Sequence, residues 1–317
     1  VKVLVTGTGG FVGPHLARLL VARGHVVIGL DRRAGTVTEG VRQVAADLGD
    51  AEALAGVAEE LRPDAVVHLA GWSHVGRSWD SPAATYSANV VGTLNLYSAL
   101  YRVLGTNCRF LHVSSADVYG GSGIVPANET TPARPNSPYA ASKLASEEAL
   151  RLLAAAGRGP RLIIARPFNH IGPGQAPGFV VPSFATQVAE IESGRRTVLR
   201  HGNLDARRDF SDVRDIVMAY ALLLEQFPTQ PLFVVASGRS ISIRSLVEGL
   251  FARAGIAPRM EVDPALLRPI DTPEMRGDAT LLHQLTGWSP AYSIESTLDE
   301  ILHEARQRIA AAEANVS

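Results

Sequence analysis

With 317 residues and 46% hydrophobic side chains, the chain can bury one large core, or one core with a smaller satellite. Its 30 basic and 31 acidic side chains give a net charge of -1, so no global field draws in nucleic acid or an anionic membrane, and an anionic ligand must be held by local arginines. A single cysteine, Cys108, excludes an internal disulfide, no apolar run approaches the roughly 20 residues that span a bilayer, and the sequence opens on a strand pattern rather than a signal peptide; the expectation is a soluble cytoplasmic protein.

In chain order, short β-rich runs alternate with longer amphipathic segments. "KVLVT", "HVVIGL", "RQVAA", "DAVVHLA", "RFLHVSS" and "RLIIAR" read as strands, separated by predicted helices over 11–24, 50–60, 82–105 and 137–157. Continuous apolar strands alternating with helices predict a parallel sheet covered on both faces, that is, an α/β fold of the doubly wound Rossmann type. Cys108, just before one of these strands, reads as an inert core thiol.

After residue 166 the pattern changes to a Gly/Pro-rich loop, "RPFNHIGPGQAPG", a helix near 180–194, and then short, scattered elements. "FSDVRDIVMAYALLLEQ" predicts one more long amphipathic helix and "LFVVASG" one more buried strand. The expected division is a first domain over 1–166, to which 211–238 returns, and a smaller C-terminal α/β domain over 167–317. There is no internal repeat and no low-complexity segment.

Within "VLVTGTGGFVGPHLARLL", Gly7, Gly10 and Gly13 stand between a strand and a helix. The first permits a tight turn, the second a close approach of backbone to a diphosphate, and the third close packing of helix on strand. Asp31 ends the next strand, where a carboxylate accepts hydrogen bonds from ribose hydroxyls and repels a 2'-phosphate; this favours NAD, while Arg32 and Arg33 keep NADP open. Asp47 and Leu48 fit an adenine-binding turn, with Asp47 alternatively a plain N-cap for the following helix.

"SPYAASK" places Tyr139 and Lys143 four residues apart, on one face of a predicted helix. An ammonium beside a phenol is expected to lower the phenol's pKa toward the working pH, which suits the tyrosine to move a proton to or from a sugar hydroxyl.

The glycine loop, "HLAG", "SSADVYG" and "YAASK", in this order and spacing, resemble the extended short-chain dehydrogenase/reductase superfamily over nearly the whole chain. The resemblance implies an NAD(P)-binding Rossmann domain and a C-terminal nucleotide-sugar domain, with Ser115, Tyr139 and Lys143 catalytic. It adds Phe11, Val12, Leu69, Ala70, Gly71, Pro167 and His170 to the cofactor site, and Ser73 and Trp79 to the mouth of the substrate site. His74 and His170 are read as shape or hydrogen-bonding residues, since no metal-ligand cluster surrounds them. The helices over 82–105 and 137–157 resemble the pair that forms a dimer interface in this superfamily.

"RPFNHIGPGQAPGFV", "GNLDARRDFSDVRDIV" and "RPIDTPEMRGDATLL" look like the branch of GDP-mannose 4,6-dehydratases and GDP-4-keto-6-deoxymannose reductases, and more like the reductases. By that resemblance Asn169 and Val180 contact a GDP-linked sugar, while Arg208 and Arg268 hold its diphosphate. A diphosphate needs converging guanidiniums; Arg207, Arg208 and Arg214 could alternatively pair with neighbouring aspartates. The dehydratases carry a Glu in a "TSE" or "TDE" triplet that aligns with Ser115, Ala116 and Asp117. Here the carboxylate of Asp117 is one methylene shorter, and an acid misplaced by about 1 Å can cost on the order of a hundredfold in rate. Reduction is therefore favoured over 4,6-dehydration, with 4-epimerisation a third reading and a non-catalytic NAD(P)-binding module a fourth.

Overall fold

The apolar runs of the first half form the heart of a seven-stranded sheet in the computed structural model, which describes residues 1–33, 38–267 and 270–314. Its first six strands are β1 (Lys2–Thr6), β2 (Val26–Asp31), β3 (Val41–Ala45), β4 (Ala65–His68), β5 (Arg109–Val113) and β6 (Arg161–Pro167). Later in the chain come β7 (Asn169–Ile171), β8 (Val198–His201), β9 (Arg207–Asp212), β10 (Leu232–Val235), β11 (Ser240–Ser242), β12 (Arg259–Val262) and β13 (Glu274–Met275). The large sheet has the order β10-β6-β5-β4-β1-β2-β3 with every neighbouring pair parallel, the doubly wound Rossmann arrangement that the alternating pattern predicts.

Helices cover both faces. On one, Leu16 and Leu20 of α1 (Val12–Ala22) pack with Ile216, Tyr220 and Leu223 of the helix over Val213–Gln226. On the other, Leu54 and Ala58 of α2 (Ala51–Leu61) join Leu96 and Leu100 of the helix over Gly92–Leu104 and Leu150 of the helix over Pro138–Ala155. Each such leucine contributes about 1.5–3 kcal/mol by leaving water.

The single helix expected over 82–105 is segmented. After α3 (Val75–Asp80) the chain forms α4 (Pro82–Tyr86), a π-helical turn at Ser87–Val91, and α5 (Gly92–Leu104). The wide turn faces Asn89 inward, where it accepts from Trp72 N at 2.7 Å and donates to Ser142 Oγ at 2.9 Å. The remaining helices are α6 (Pro138–Ala155), α7 (Val180–Glu192), α8 (Val213–Gln226), α9 (Ile243–Ala254), α10 (Thr280–Thr286) and α11 (Ile294–Ala314).

The C-terminal α/β region is more regular than its sequence suggests. A small sheet runs β11-β9-β13 with β7 also against β9, and β8 pairs with β12. Instead of scattered short elements, α9 and α11 are continuous helices that share a core with α7 through Val181, Val188, Leu246, Leu250, Leu298 and Leu302. The segment "RRDFSD" is a strand, so α8 begins at Val213, where Asp212 caps it through Arg214 N at 2.7 Å.

Three carboxylates spaced by three residues tie the two regions together. Asp209 accepts from Ser237 N, Gly238 N and Gly277 N at 2.9, 3.0 and 3.2 Å. Asp212 holds Arg214 and Thr297 Oγ1, and Asp215 accepts from Ala291 N and Tyr292 N. All three are buried, and apart from Arg214 their partners come from segments far along the chain. Among the described residues no helix is long and apolar enough to cross a membrane.

Candidate active site

At the start of α1 the loop turns on Gly7, whose φ of +75° suits glycine, and a Cβ there would lie 2.9 Å from Ala70 N. A Cβ on Gly13 would come within 2.5 Å of Gly7 O and Thr8 Cα, so only glycine lets α1 pack this tightly on the loop. Backbone amides at a helix N-terminus are thereby left bare beside β1, a cradle for a diphosphate. Asp31 closes its far side: one carboxylate oxygen accepts from Gly9 N at 2.9 Å and the other from Arg32 N at 2.7 Å.

Asp47 is exposed and accepts from Gly49 N at 2.8 Å, while the cap of α2 is Asp50, which accepts from Ala53 N at 2.9 Å. The N-cap alternative for Asp47 is thus excluded. Leu48 is tied by its carbonyl to Asn95 Nδ2 at 2.9 Å. Leu69 and Ala70 follow β4 beside the glycine loop, and a side chain at Gly71 would press on Asn89 Oδ1 at 2.6 Å and stand 3.7 Å from Lys143 Nζ. Pro167 ends β6 in the core, and the His170 ring stacks on Phe11 with centroids 6.0 Å apart. Val12 is the first residue of α1, directly after the glycine loop.

The reactive groups meet at the C-terminal end of β5. Ser115 follows that strand and caps a short 3-10 turn over Ala116–Tyr119, accepting from Asp117 N at 3.2 Å. Its hydroxyl lies near enough to the phenol of Tyr139, buried in the first turn of α6, to favour the ionised form of that phenol. Lys143, one turn later and also buried, donates to Val113 O at 3.0 Å. Ser78 anchors the start of α6 by accepting from Tyr139 N at 3.1 Å.

Electrostatics differ from the sequence-based expectation. Burial, joined by the charge of Asp117, pushes the Tyr139 phenol well above its usual range, and the Ser115 hydroxyl only partly opposes this. Lys143 itself is brought down to about 8 by burial, against a raising influence of Glu147. The nearby imidazoles are neutral: burial and the Lys143 charge lower His68 to about 3 and push His112 down as well.

The expected substrate residues stand on different elements. Ser73 and Trp79 are exposed, and His74 stacks on Phe179 with centroids 4.6 Å apart, immediately before Val180 at the start of α7. Asn169 begins β7 and is exposed. Arg208 is nearly buried, donating to Thr272 O at 2.7 Å and Asp271 Oδ1 at 2.6 Å. Arg207 instead reaches Ser240 O, and Arg214 pairs with Asp212 and Glu300, so an aspartate partner is found for Arg214 and, through Asp271, for Arg208 as well, but not for Arg207. Arg268 lies outside the described residues. Among those described, no group of three or more His, Cys, Asp or Glu is placed to hold a metal ion.

Three residues behind the site had not been singled out: Ser114, Glu147 and Arg166, which bond one another beneath Ser115. The signal was present in the helix period, since Glu147 follows Lys143 by the same four residues that separate Lys143 from Tyr139.

A Rossmann sheet with this glycine cradle and a Ser, Tyr, Lys constellation at β5 and α6 defines an NAD(P)-dependent enzyme of the extended short-chain dehydrogenase/reductase class that acts on nucleotide sugars. Residues 4–301 match the family model of GDP-mannose 4,6 dehydratase, and the chain belongs to that family. It is 38% identical over 314 residues to GDP-6-deoxy-D-mannose reductase of Pseudomonas aeruginosa, covering 97% of this chain and 98% of that one. The solved structure of RMD from Pseudomonas aeruginosa complexed with NADPH is 36% identical with a TM-score of 0.83, covering 97% and 99%. UDP-glucose 4-epimerase of Thermus thermophilus, solved with NAD, is 31% identical with a TM-score of 0.86, covering 96% and 99%.

Proposed function

We propose that this chain is a 4-keto reductase of a GDP-linked 4-keto-6-deoxyhexose. The observation that carries the reading is the likeness to the Pseudomonas aeruginosa reductase along almost the full length of both chains. The burial of Tyr139 beside Ser115, which favours a protonated phenol, suits a group that gives a proton.

When bound, the nicotinamide cofactor supplies a hydride for carbon 4 of the sugar. Tyr139 Oη gives its proton to the carbonyl oxygen, so the C=O bond becomes CH–OH, and solvent later restores the phenol. Ser115 Oγ steadies the negative charge that develops on that oxygen. Lys143 holds the cofactor's ribose and keeps a positive charge near the phenolate as it forms. Arg208, already oriented by Thr272 O and Asp271, serves the diphosphate together with Arg268, so little side-chain freedom is lost on binding. Asn169, Val180 and Ser73 contact the sugar side.

In this reading residues 1–166, with 211–238, serve the cofactor and 167–317 the nucleotide sugar. Asp31 favours NAD over NADP through the position of its carboxylate against Gly9 N. The chain works as a homodimer through the outer faces of α4 to α6, where Tyr86, Val91 and Leu152 are exposed. A reducing cytoplasm suits the buried Cys108, whose thiol burial pushes up to about 12.

A second reading, 4,6-dehydration, is favoured by one observation, the carboxylate of Asp117 beside Tyr139. Product analysis separates the two. GDP-4-keto-6-deoxymannose with NADH or NADPH should be reduced, with loss of the cofactor's absorbance. Water loss from GDP-mannose alone would replace the reading with dehydration, and inversion of UDP-glucose would replace it with epimerisation.

A further inference from the structure

The buried stripe of α6 does not stop at Tyr139 and Lys143. It continues through Ser146 to Glu147, which is fully buried one turn beyond Lys143. Arg166 of β6 grips the Glu147 carboxylate with two nitrogens, Nε to Oε1 at 2.9 Å and Nη2 to Oε2 at 2.6 Å. The guanidinium also lies over the Tyr119 ring, 4.8 Å from its centroid. The Ser114 hydroxyl donates to the same carboxylate. Hydrophobic side chains of similar volume would pack a helix on a sheet about as stably as such an ion pair, so stability alone gives weak reason for its presence.

Its placement gives a better one. Three consecutive residues at the end of β5 are each held by a different partner. Val113 O accepts from Lys143, Ser114 Oγ donates to Glu147, and Ser115 Oγ accepts from Asp117 N. Two of those partners, Lys143 and Glu147, stand on α6, so the two residues just before Ser115 are tied to α6, which Arg166 ties in turn to β6.

We propose that Glu147 is a positioning residue for the reduction: held by Arg166, it locks Ser114 and thereby the neighbouring Ser115, and it sustains the charge of Lys143 one turn away. The proposal rests on the roles given above to Ser115, Tyr139 and Lys143. The groups facing Lys143 are Glu147 and Tyr139 on its own helix, His68 on β4, His112 on β5 and, through Glu147, Arg166 on β6. Both imidazoles are neutral and the phenol is protonated at ordinary pH, so the charges that matter there are Glu147 and the two guanidiniums on it, Arg166 and, at 3.5 Å, Arg151 of α6. The carboxylate raises the ammonium's pKa against burial; Glu147→Gln removes that support and leaves Arg166 unopposed, so Lys143 loses its proton at lower pH.

The test follows NADH binding by fluorescence between pH 6 and 10. Glu147→Gln should move the alkaline loss of affinity down by about one pH unit or more, whereas a merely structural role would weaken binding without moving the midpoint. Ser114→Ala keeps the ion pair and removes only its link to β5; kcat for reduction should fall about tenfold with KM within about twofold. An unmoved midpoint in Glu147→Gln, or wild-type kcat in Ser114→Ala, overturns the proposal. Should Glu147→Gln not fold, Ser114→Ala decides alone. If Tyr139→Phe retains turnover, it is the catalytic reading that fails, whatever the Glu147 titration shows.

Discussion

Asp117 lies near enough to Tyr139 for its charge to oppose ionisation of the phenol. The carboxylate therefore favours the protonated form of the neighbouring phenol. The same residue also orients Ser115 through its backbone amide.

Replacing Asp117 with Asn should therefore change reduction at neutral pH by less than about threefold, because the amide that bonds Ser115 remains and the phenol stays protonated by burial. Removing the charge lowers the Tyr139 pKa, so activity should start to fall at a lower alkaline pH than in the wild type. A pH profile of kcat checks the shift. A loss of a hundredfold or more at neutral pH would mean that Asp117 itself moves a proton.

Tyr139→Phe should cut turnover by about 10²- to 10⁴-fold, the usual worth of a positioned proton donor. Cofactor affinity should stay within about threefold, since the phenol lies by Ser115 at the end of β5 and its removal leaves the glycine loop untouched. Single-turnover kinetics alongside NADH fluorescence separate the two quantities.

Asp31→Ser removes the carboxylate anchored on Gly9 N and Arg32 N. The ratio of kcat/KM for NADH to that for NADPH should drop by about tenfold, equivalent to about 1.4 kcal/mol. An unchanged ratio would show that Asp31 does not face the ribose.

For the dimer, Leu152 is 71% exposed on α6 and Val91 is 51% exposed just before α5. Glutamate at Leu152 should yield a monomer by sedimentation while leaving the unfolding temperature of that monomer near the wild-type value. A wild-type chain that sediments as a monomer at micromolar concentration would dispose of the interface altogether.

Glu225, paired with Arg23 and His25 at the opposite end of the sheet, has its carboxyl lowered to about 2, chiefly by the Arg23 hydrogen bond. A depressed carboxyl contributes stability above its unfolded pKa of about 4.3 and loses it as pH falls through the folded value. Comparing Glu225→Gln with wild type by urea unfolding should show a difference under about 1 kcal/mol at pH 6. That difference should vanish as pH falls from about 4 to about 2.

The large sheet was legible because its strands are continuous apolar runs and its first loop obeys a spacing with one strong physical reading. The C-terminal region was not, for two reasons. The face of α11 that meets the core is a narrow stripe, Leu298, Ile301, Leu302 and Ala305, among charged residues. The strand β9 carries Arg207, Arg208, Asp209 and Asp212, so its extended backbone is fixed by long-range partners that no local pattern reveals. At the site, residue types predicted which groups meet, but not the protonation of Tyr139. That depends on burial and on a carboxylate brought in by the fold.

The carboxylates at 209, 212 and 215 also bear on how such an enzyme could change its substrate. Each is buried with partners contributed by later segments: Ser237 to Gly277 for the first, Thr297 for the second, Ala291 and Tyr292 for the third. Cutting or exchanging residues 239–317 as a block would take at least one partner from each of these three buried acids at once, each loss a source of about 1–3 kcal/mol of instability. The C-terminal half is therefore no detachable module. On the proposed reading, new specificity would come by altering surface loops such as those bearing Ser73 and Phe179, one side chain at a time, around a frame that stays stitched together.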